Sequence, residues 1–467
     1  MSNKINKIII LGCGVSGMSL AYYLKNLINC EIIILERSTN VGGLSSGIFH
    51  NGYFLDYGPH VYHPANDEFD ELFIKLCDNN DFIQSRNVKL LLDDLILDYP
   101  LSIGQVLDKY DIMTNFQFVA DYLIQQLKNI HLRKPSFENF EDWGISTFGK
   151  SIYEKCFGVY SRKVWGIEPN QISTMLVNQR LKGLSLVSVI LSTLTKGKRK
   201  SSKSYFNSFI YNKMGIQNCW DNFEVMLIKK GITIYKDFNI KYLFYSNQII
   251  SKIISDDTEL SIGTDDLVIS TLPIDTLIND ILSPKIVNSS LDYVGLHYIY
   301  YFLSQPRLFD EHWIYLLDKK IVPNRISDLN NINNIHKLGC LCLEISDHNY
   351  DGSIHNFDYI RSLSSIGLKE KLITDIKKSY YLHSYPLFKV GFENELQKVL
   401  FALSKIRNLI TTGRQGLFLN IDIHDCFMIS KYLSNIISES NEMILTRFYE
   451  PIISKFFNQQ EFKRTGI

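Results

Sequence analysis

KIIILGCGVSGMSLAYYLKNL, Lys7 to Leu27, reads as a buried strand, a glycine turn and a helix. Ile8 to Leu11 is a continuous apolar run, as a central strand of a parallel sheet requires. Gly12, Gly14 and Gly17 supply G-x-G-x-x-G at the strand-to-helix junction. In that setting the first glycine permits the tight turn and the second lets backbone approach a pyrophosphate. The third lets the helix pack closely on the sheet, and the helix start, Val15 and Ser16, faces the phosphates. A second apolar run, EIIILE, ends at Glu36, 19 residues beyond Gly17 and placed to bind ribose hydroxyls, with Arg37 following. The stretch therefore predicts an α/β fold built on a dinucleotide-binding domain. A glycine-rich turn without a ligand is the bland alternative.

A chain of 467 residues exceeds one ordinary core and implies two or three lobes. Its 45% hydrophobic and 21% charged residues are a globular composition. Lys+Arg and Asp+Glu both number 49, so no electrostatic nucleic-acid binder is expected. The eight cysteines are scattered, and only Cys340 and Cys342 are close, in a C-x-C that fits neither a zinc ribbon nor a thioredoxin motif. A reduced, cytoplasmic setting and no metal are the expectation. No run of about 18 apolar residues occurs, so no transmembrane segment is expected.

After Glu36 comes RSTNVGGLSSG, with Gly42-Gly43 six residues on. An NAD site needs nothing there, whereas the longer body of FAD needs backbone approach beyond the pyrophosphate. Here the chain resembles the FAD-binding amine-oxidase and protoporphyrinogen-oxidase superfamily, which carries E-x(5)-G-G after its first fingerprint. The resemblance implies non-covalent FAD held by Gly12, Gly14, Val15, Ser16, Gly17, Glu36, Arg37, Gly43 and Leu44. No second G-x-G-x-x-G follows, so a reductant such as NAD(P)H would have to diffuse in. DYGPHVYH, Asp56 to His63, is similar to a segment of the UDP-galactopyranose mutases within that superfamily. The likeness implies that Gly58, Pro59 and His60 lie near the flavin, and that His63 faces the flavin or the substrate. Aromatic packing of the turn is the alternative. A metal site is disfavoured because no nearby cysteine or carboxylate pair completes a ligand set.

NDEFDELFIKLCDN, from Asn66, reads as a capped helix, and VKLLLDDLILDYP as a hairpin turning at Asp93-Asp94 and ended by Pro100. Residues 101–204 carry apolar positions at three- and four-residue spacing and predict an inserted helical lobe. Within it, Trp165-Gly166 and Arg180 resemble the mutases' substrate Trp and diphosphate-gripping Arg. A core Trp and a surface Arg remain the alternatives. TKGKRKSSKS, Thr195 to Ser204, reads as a solvated lid loop more readily than as a membrane contact. The FAD domain resumes over 205–275, where Ile240 resembles a contact beside the adenine. Alternating LHYIYYFL and EHWIYLLD predict an antiparallel substrate sheet over 276–390. There Arg325 resembles the second diphosphate arginine, with Glu344 on the next strand. The last FAD segment, 391–440, contributes Gly413, Arg414, Asp422 and Ile423, and 441–467 is a tail. At 420 the mutases place a Tyr against the substrate diphosphate; this chain has Asn420.

The expected architecture is thus a Rossmann-like FAD domain, of the type shared by amine oxidases and Rab GDP-dissociation inhibitors, in three parts. The first part is 1–100. Three functions compete. A mutase-like enzyme would isomerise a nucleotide-diphosphate sugar through a flavin N5 adduct, or run a redox variant, in glycan precursor synthesis. His63, Arg180 and Arg325 would then be catalytic, with Trp165 and Asn420 at the substrate. An oxidoreductase of amine-oxidase or porphyrinogen-oxidase type is the second, kept open by Asn420. A flavin-free binding protein is the third, opposed by the intact glycine set.

Overall fold

The computed structural model describes residues 5–65, 67–78, 81–99, 103–131, 137–180, 208–333, 336–352 and 356–439. The opening stretch forms the predicted strand Lys7–Leu11 and helix Val15–Leu27. That strand is the centre of a five-stranded parallel sheet, ordered Leu409–Thr411, Asp266–Ser270, Lys7–Leu11, Glu31–Leu35, Thr233–Tyr235. Ile8, Ile10, Leu11, Ile32 and Ile34 are fully or almost fully buried, as two covered faces require. The helix Ile423–Glu439 packs beside Val15–Leu27, joined by Ser19 Oγ donating to Ser430 Oγ at 2.8 Å.

A seven-stranded sheet forms the second layer, ordered Ile373–Pro386, Tyr293–Leu303, Cys340–Ser346, Arg325–Asp328, Trp313–Leu316, Val88–Leu92, Leu95–Asp98. Its pairs are antiparallel except one. Trp313–Leu316 runs parallel to Val88–Leu92, so the predicted hairpin at Asp93-Asp94 joins this sheet and not the parallel one. The change of sheet therefore falls before residue 88. A four-stranded sheet carries Ile240–Ser246, and the hairpin Gly47–His50 with Tyr53–Asp56 turns at Asn51-Gly52, both at positive φ.

Among the described residues of the inserted segment the helices are Ile103–Lys109, Ile112–His131, Phe140–Phe148, Lys150–Tyr153, Val159–Trp165 and Met175–Arg180. A π-turn at Glu154–Gly158 joins two of them. Gly149, at φ +77°, breaks the long helical pattern, since its Cβ would meet Tyr122 backbone at 2.8 Å. The predicted helix after Asn66 is Glu68–Leu76, capped by the Asp67 side chain accepting from Phe69 N–H. The basic stretch 195–204, the tail 441–467 and Pro100 lie outside the described residues. Among the described residues no helix is long and apolar enough to cross a membrane, and no group of three potential metal ligands forms.

Candidate functional site

Two glycine segments meet where the parallel strands end. Gly42 N–H donates to Cys13 O at 2.9 Å, and Gly14 bridges Gly42 as a parallel partner. A Cβ on Gly43 would sit 3.1 Å from Gly14 Cα, and one on Gly17 would lie 2.0 Å from Gly12 O. Gly413, at φ +81°, closes the same corner from the far end of the chain, its Cβ position 2.5 Å from Ser16. The starts of Val15–Leu27 and Ile423–Glu439 thus share one corner, a natural seat for pyrophosphate. Asp422 precedes the second helix, and its N–H donates to Asp425 Oδ2 at 3.2 Å.

Glu36 does more than its spacing implies. Its Oε2 accepts the Cys13 N–H at 2.7 Å and its Oε1 the Ser38 N–H at 2.8 Å, so the carboxylate also ties the fingerprint turn to the end of its strand. The chain returning before Ile240 lies alongside, with Phe238 N–H donating to Glu36 O at 2.8 Å. Arg37 is exposed and Leu44 half-buried. Ser45 Oγ, His60 Nδ1 and Thr412 Oγ1 are buried without a hydrogen-bond partner among the described residues. Such orphans, with a cradle that side chains would fill, fit an extended dinucleotide such as FAD.

The turn at Gly58 joins this groove to the seven-stranded sheet. Gly58 has φ +78°, and a Cβ there would lie 2.6 Å from Glu344 Oε1. Glu344 is buried and opposes Arg325 in strand register. Arg325 Nε donates to Oε1 and Nη2 to Oε2, each at 2.6 Å, a two-pronged pair. Burial alone would lower the guanidinium pKa; Glu344 and the phenols of Tyr385 and Tyr315 outweigh it and hold the pKa above its usual value. The Tyr315 ring lies 5.6 Å beneath Arg325, and Tyr160 and Tyr99 contact Tyr315 edge-on and tilted. Burial pushes the Tyr160 and Tyr298 phenols well up, so both stay hydrogen-bond donors.

The two histidines of the turn separate. Burial first, then Arg325 and Arg414, lowers His60 to about 3, so it stays neutral. His63 instead places Nδ1 3.5 Å from Ser208 O. Arg414 donates to Ile421 O and to Ser384 O, bracing the final segment against the sheet. Asn420 is buried. Trp165 is buried with its ring 5.8 Å from Tyr385, and so belongs to a small core bordering the Arg325 group. Arg180 is the last residue of Met175–Arg180, and its side chain lies outside the described residues.

Sequence reasoning missed Tyr160, Tyr298, Tyr315, Tyr385 and Arg86. The Arg86 guanidinium lies 4.6 Å from the Tyr99 ring and 5.2 Å from Trp313, and among the described residues it meets no carboxylate. The alternation that puts Trp313 and Tyr315 on one sheet face was the available signal.

Fold and groove together define a Rossmann-type domain at this end of the chain: residues 10–76 match the NAD(P)-binding Rossmann-like domain family. Among characterised proteins, the chain is 24% identical over 182 residues to a probable UDP-galactopyranose mutase of Klebsiella pneumoniae. That match covers 38% of this chain and 45% of the relative, so it spans about half the relative's length. A crystal structure of reduced UDP-galactopyranose mutase superposes with a TM-score of 0.78 at 20% identity, over 94% of this chain and 96% of the other. A putative protoporphyrinogen oxidase from Exiguobacterium sp. 255-15 gives 0.71 at 13% identity, over 93% and 98%. The chain has the fold these enzymes share, with the Rossmann-like domain at its N-terminal side.

Proposed function

We propose that the chain is an FAD-dependent enzyme acting on a nucleoside-diphosphate sugar, by ring isomerisation or a redox variant of it. The observation that carries this reading is the Arg325–Glu344 pair beneath Gly58. An amine substrate wants a free carboxylate, and Glu344 is already engaged by Arg325. A sugar diphosphate wants a fixed cation and hydroxyl donors, which Arg325 and the phenols supply.

When bound, FAD would supply a nucleophilic ring nitrogen toward the anomeric carbon of the sugar. Gly12, Gly14, Gly17, Gly43 and Gly413 would hold the cofactor by backbone, and Glu36 by its ribose. Glu344 occupies Nε and one N–H of Nη2, leaving three of the five Arg325 donors for phosphate oxygens. The leaving diphosphate would be stabilised there by charge fixed in advance. Neutral His60 would border the flavin without adding a charge to it.

A second reading, an oxidoreductase, is favoured by Asn420 standing where a Tyr is expected. To decide, the purified protein is assayed for non-covalent FAD, then reduced and incubated with UDP- and TDP-hexopyranoses. Ring-isomer formation that requires the reduced state supports the mutase-like reading. A flavoprotein that forms no isomer but is itself reduced by an amine or a porphyrinogen contradicts it.

A further inference from the structure

The sheet face that carries Arg325 also holds a second arginine, two strands away. Residues opposed in register share a face, here Glu344, Arg325 and Tyr315, with Trp313 and Val88 one strand step along. Arg86, two residues before Val88, rests its guanidinium on the Trp313 and Tyr99 rings. Trp313 and Tyr315 stand about 7 Å apart along their strand, with Arg86 seated on the first and Arg325 on the second. The two cations differ in what answers them. Glu344 engages Arg325, whereas among the described residues no carboxylate engages Arg86. Arg86 Nε and Trp313 Nε1 are both buried with no hydrogen-bond partner there. His312 clamps the chain on both sides of Arg86, its Nδ1 accepting the Asn87 N–H at 3.0 Å and its Nε2 donating to Gln84 Oε1. Tyr99 is exposed, so this corner is fixed, rich in unanswered donors and open to solvent.

Phe209, on the strand Ser208–Asn212, packs against Trp313 and His312, and His63 reaches Ser208 O of the same strand. Tyr385, with Trp165 beside it, belongs to the far edge strand, on the opposite side of Arg325. Arg86 and His63 thus share one flank of Arg325. We propose that Arg86 receives a carboxylate on the sugar, so that the substrate is a nucleoside-diphosphate uronic acid. The proposal rests on the sugar-diphosphate reading and narrows it. Arg325 takes the diphosphate, and Arg86 takes the C6 carboxylate at the other end of the sugar ring. A guanidinium held flat by two aromatic rings presents its outer N–H pair for a two-pronged bond to a carboxylate. A neutral hexose would leave that cation unanswered, whereas a uronic acid brings the charge that the corner lacks.

The test is calorimetric titration of the FAD-loaded protein with UDP-galacturonate, UDP-galactose and UDP, and with the TDP counterparts. One uronate should bind about tenfold or more tighter than its neutral partner, the scale of a charged hydrogen bond. Arg86→Gln should erase most of that preference, and Arg86→Lys, which keeps the charge and loses the planar fork, should retain part of it. Equal or tighter binding of the neutral sugar overturns the proposal and leaves the sugar-diphosphate reading standing. So does a preference that Arg86→Gln leaves intact. A loss in that variant as large for the bare nucleotide as for the uronate also overturns it, since Arg86 would then grip the diphosphate. Binding of none of these compounds overturns both readings together.

Discussion

The five-stranded parallel sheet and the seven-stranded sheet meet at Gly58, and they prepare opposite kinds of binding surface. The parallel sheet offers backbone. Its ligand corner is made by side chains that are missing, at Gly12, Gly14, Gly17, Gly43 and Gly413, and by two helix starts. The seven-stranded sheet offers side chains, a paired Arg325–Glu344 walled by phenols. On the proposed function the first would hold the cofactor and the second would select the substrate, which separates the effects of substitutions on each side.

The largest effect should come from the side-chain surface. Glu344→Ala strands the Arg325 cation in a buried position and should cost about 3–5 kcal/mol of stability, read by denaturant unfolding. A loss below about 1 kcal/mol would mean that water already screens the pair. On the backbone surface, Glu36→Ala removes charged hydrogen bonds to the Cys13 and Ser38 amides and, on the proposed function, the bond to ribose. FAD affinity should fall by about 1.5–3 kcal/mol, seen as a lower flavin-to-protein absorbance ratio after dialysis. Unchanged FAD content would break the assignment.

The most gradual effect, spread over several pH units, lies at the joint. Burial raises the Asp56 carboxyl from 3.8 to about 7, with the bond from Tyr211 only partly opposing it, and Tyr300 donates to Asp56 O from the other sheet. The folded state therefore keeps a proton that the unfolded chain gives up. Stability is fully present below about pH 4 and is lost as pH rises through about 7. The slope is at most about 1.4 kcal/mol per pH unit. Asp56→Asn should remove that fall, so Tm curves of wild type and variant should diverge from pH 4 to 7. Parallel curves would contradict it.

The same contrast explains what was legible in the sequence. Lys7–Leu27 could be read because strand, turn and helix are adjacent and each glycine answers a local steric demand. Glu344 could be placed on the strand beside Arg325, but their ion pair could not be read, because residues 19 apart come opposite each other only through strand register. Likewise nothing in VKLLLDDLILD names Trp313–Leu316 as its parallel neighbour. His60 and His63 carry the same chemistry three residues apart. Only the packing, which sets His60 beside Arg325 and Arg414 and His63 against Ser208, distinguishes them. The apolar spacing of Ile112–His131 correctly gave a helix but could not show that half of that pattern faces outward.

The central claim, that the side-chain surface receives a nucleoside diphosphate, is tested most directly by calorimetric titration of the FAD-loaded protein with UDP, GDP and TDP. Wild type should bind at least one of them. Arg325→Ala and Arg180→Ala should each weaken that binding by about 1.5–3 kcal/mol with the flavin spectrum intact. Arg→Lys should restore only part, since an ammonium keeps the charge and loses the planar fork. A wild type that binds none of the three contradicts the account and leaves the oxidoreductase reading in its place.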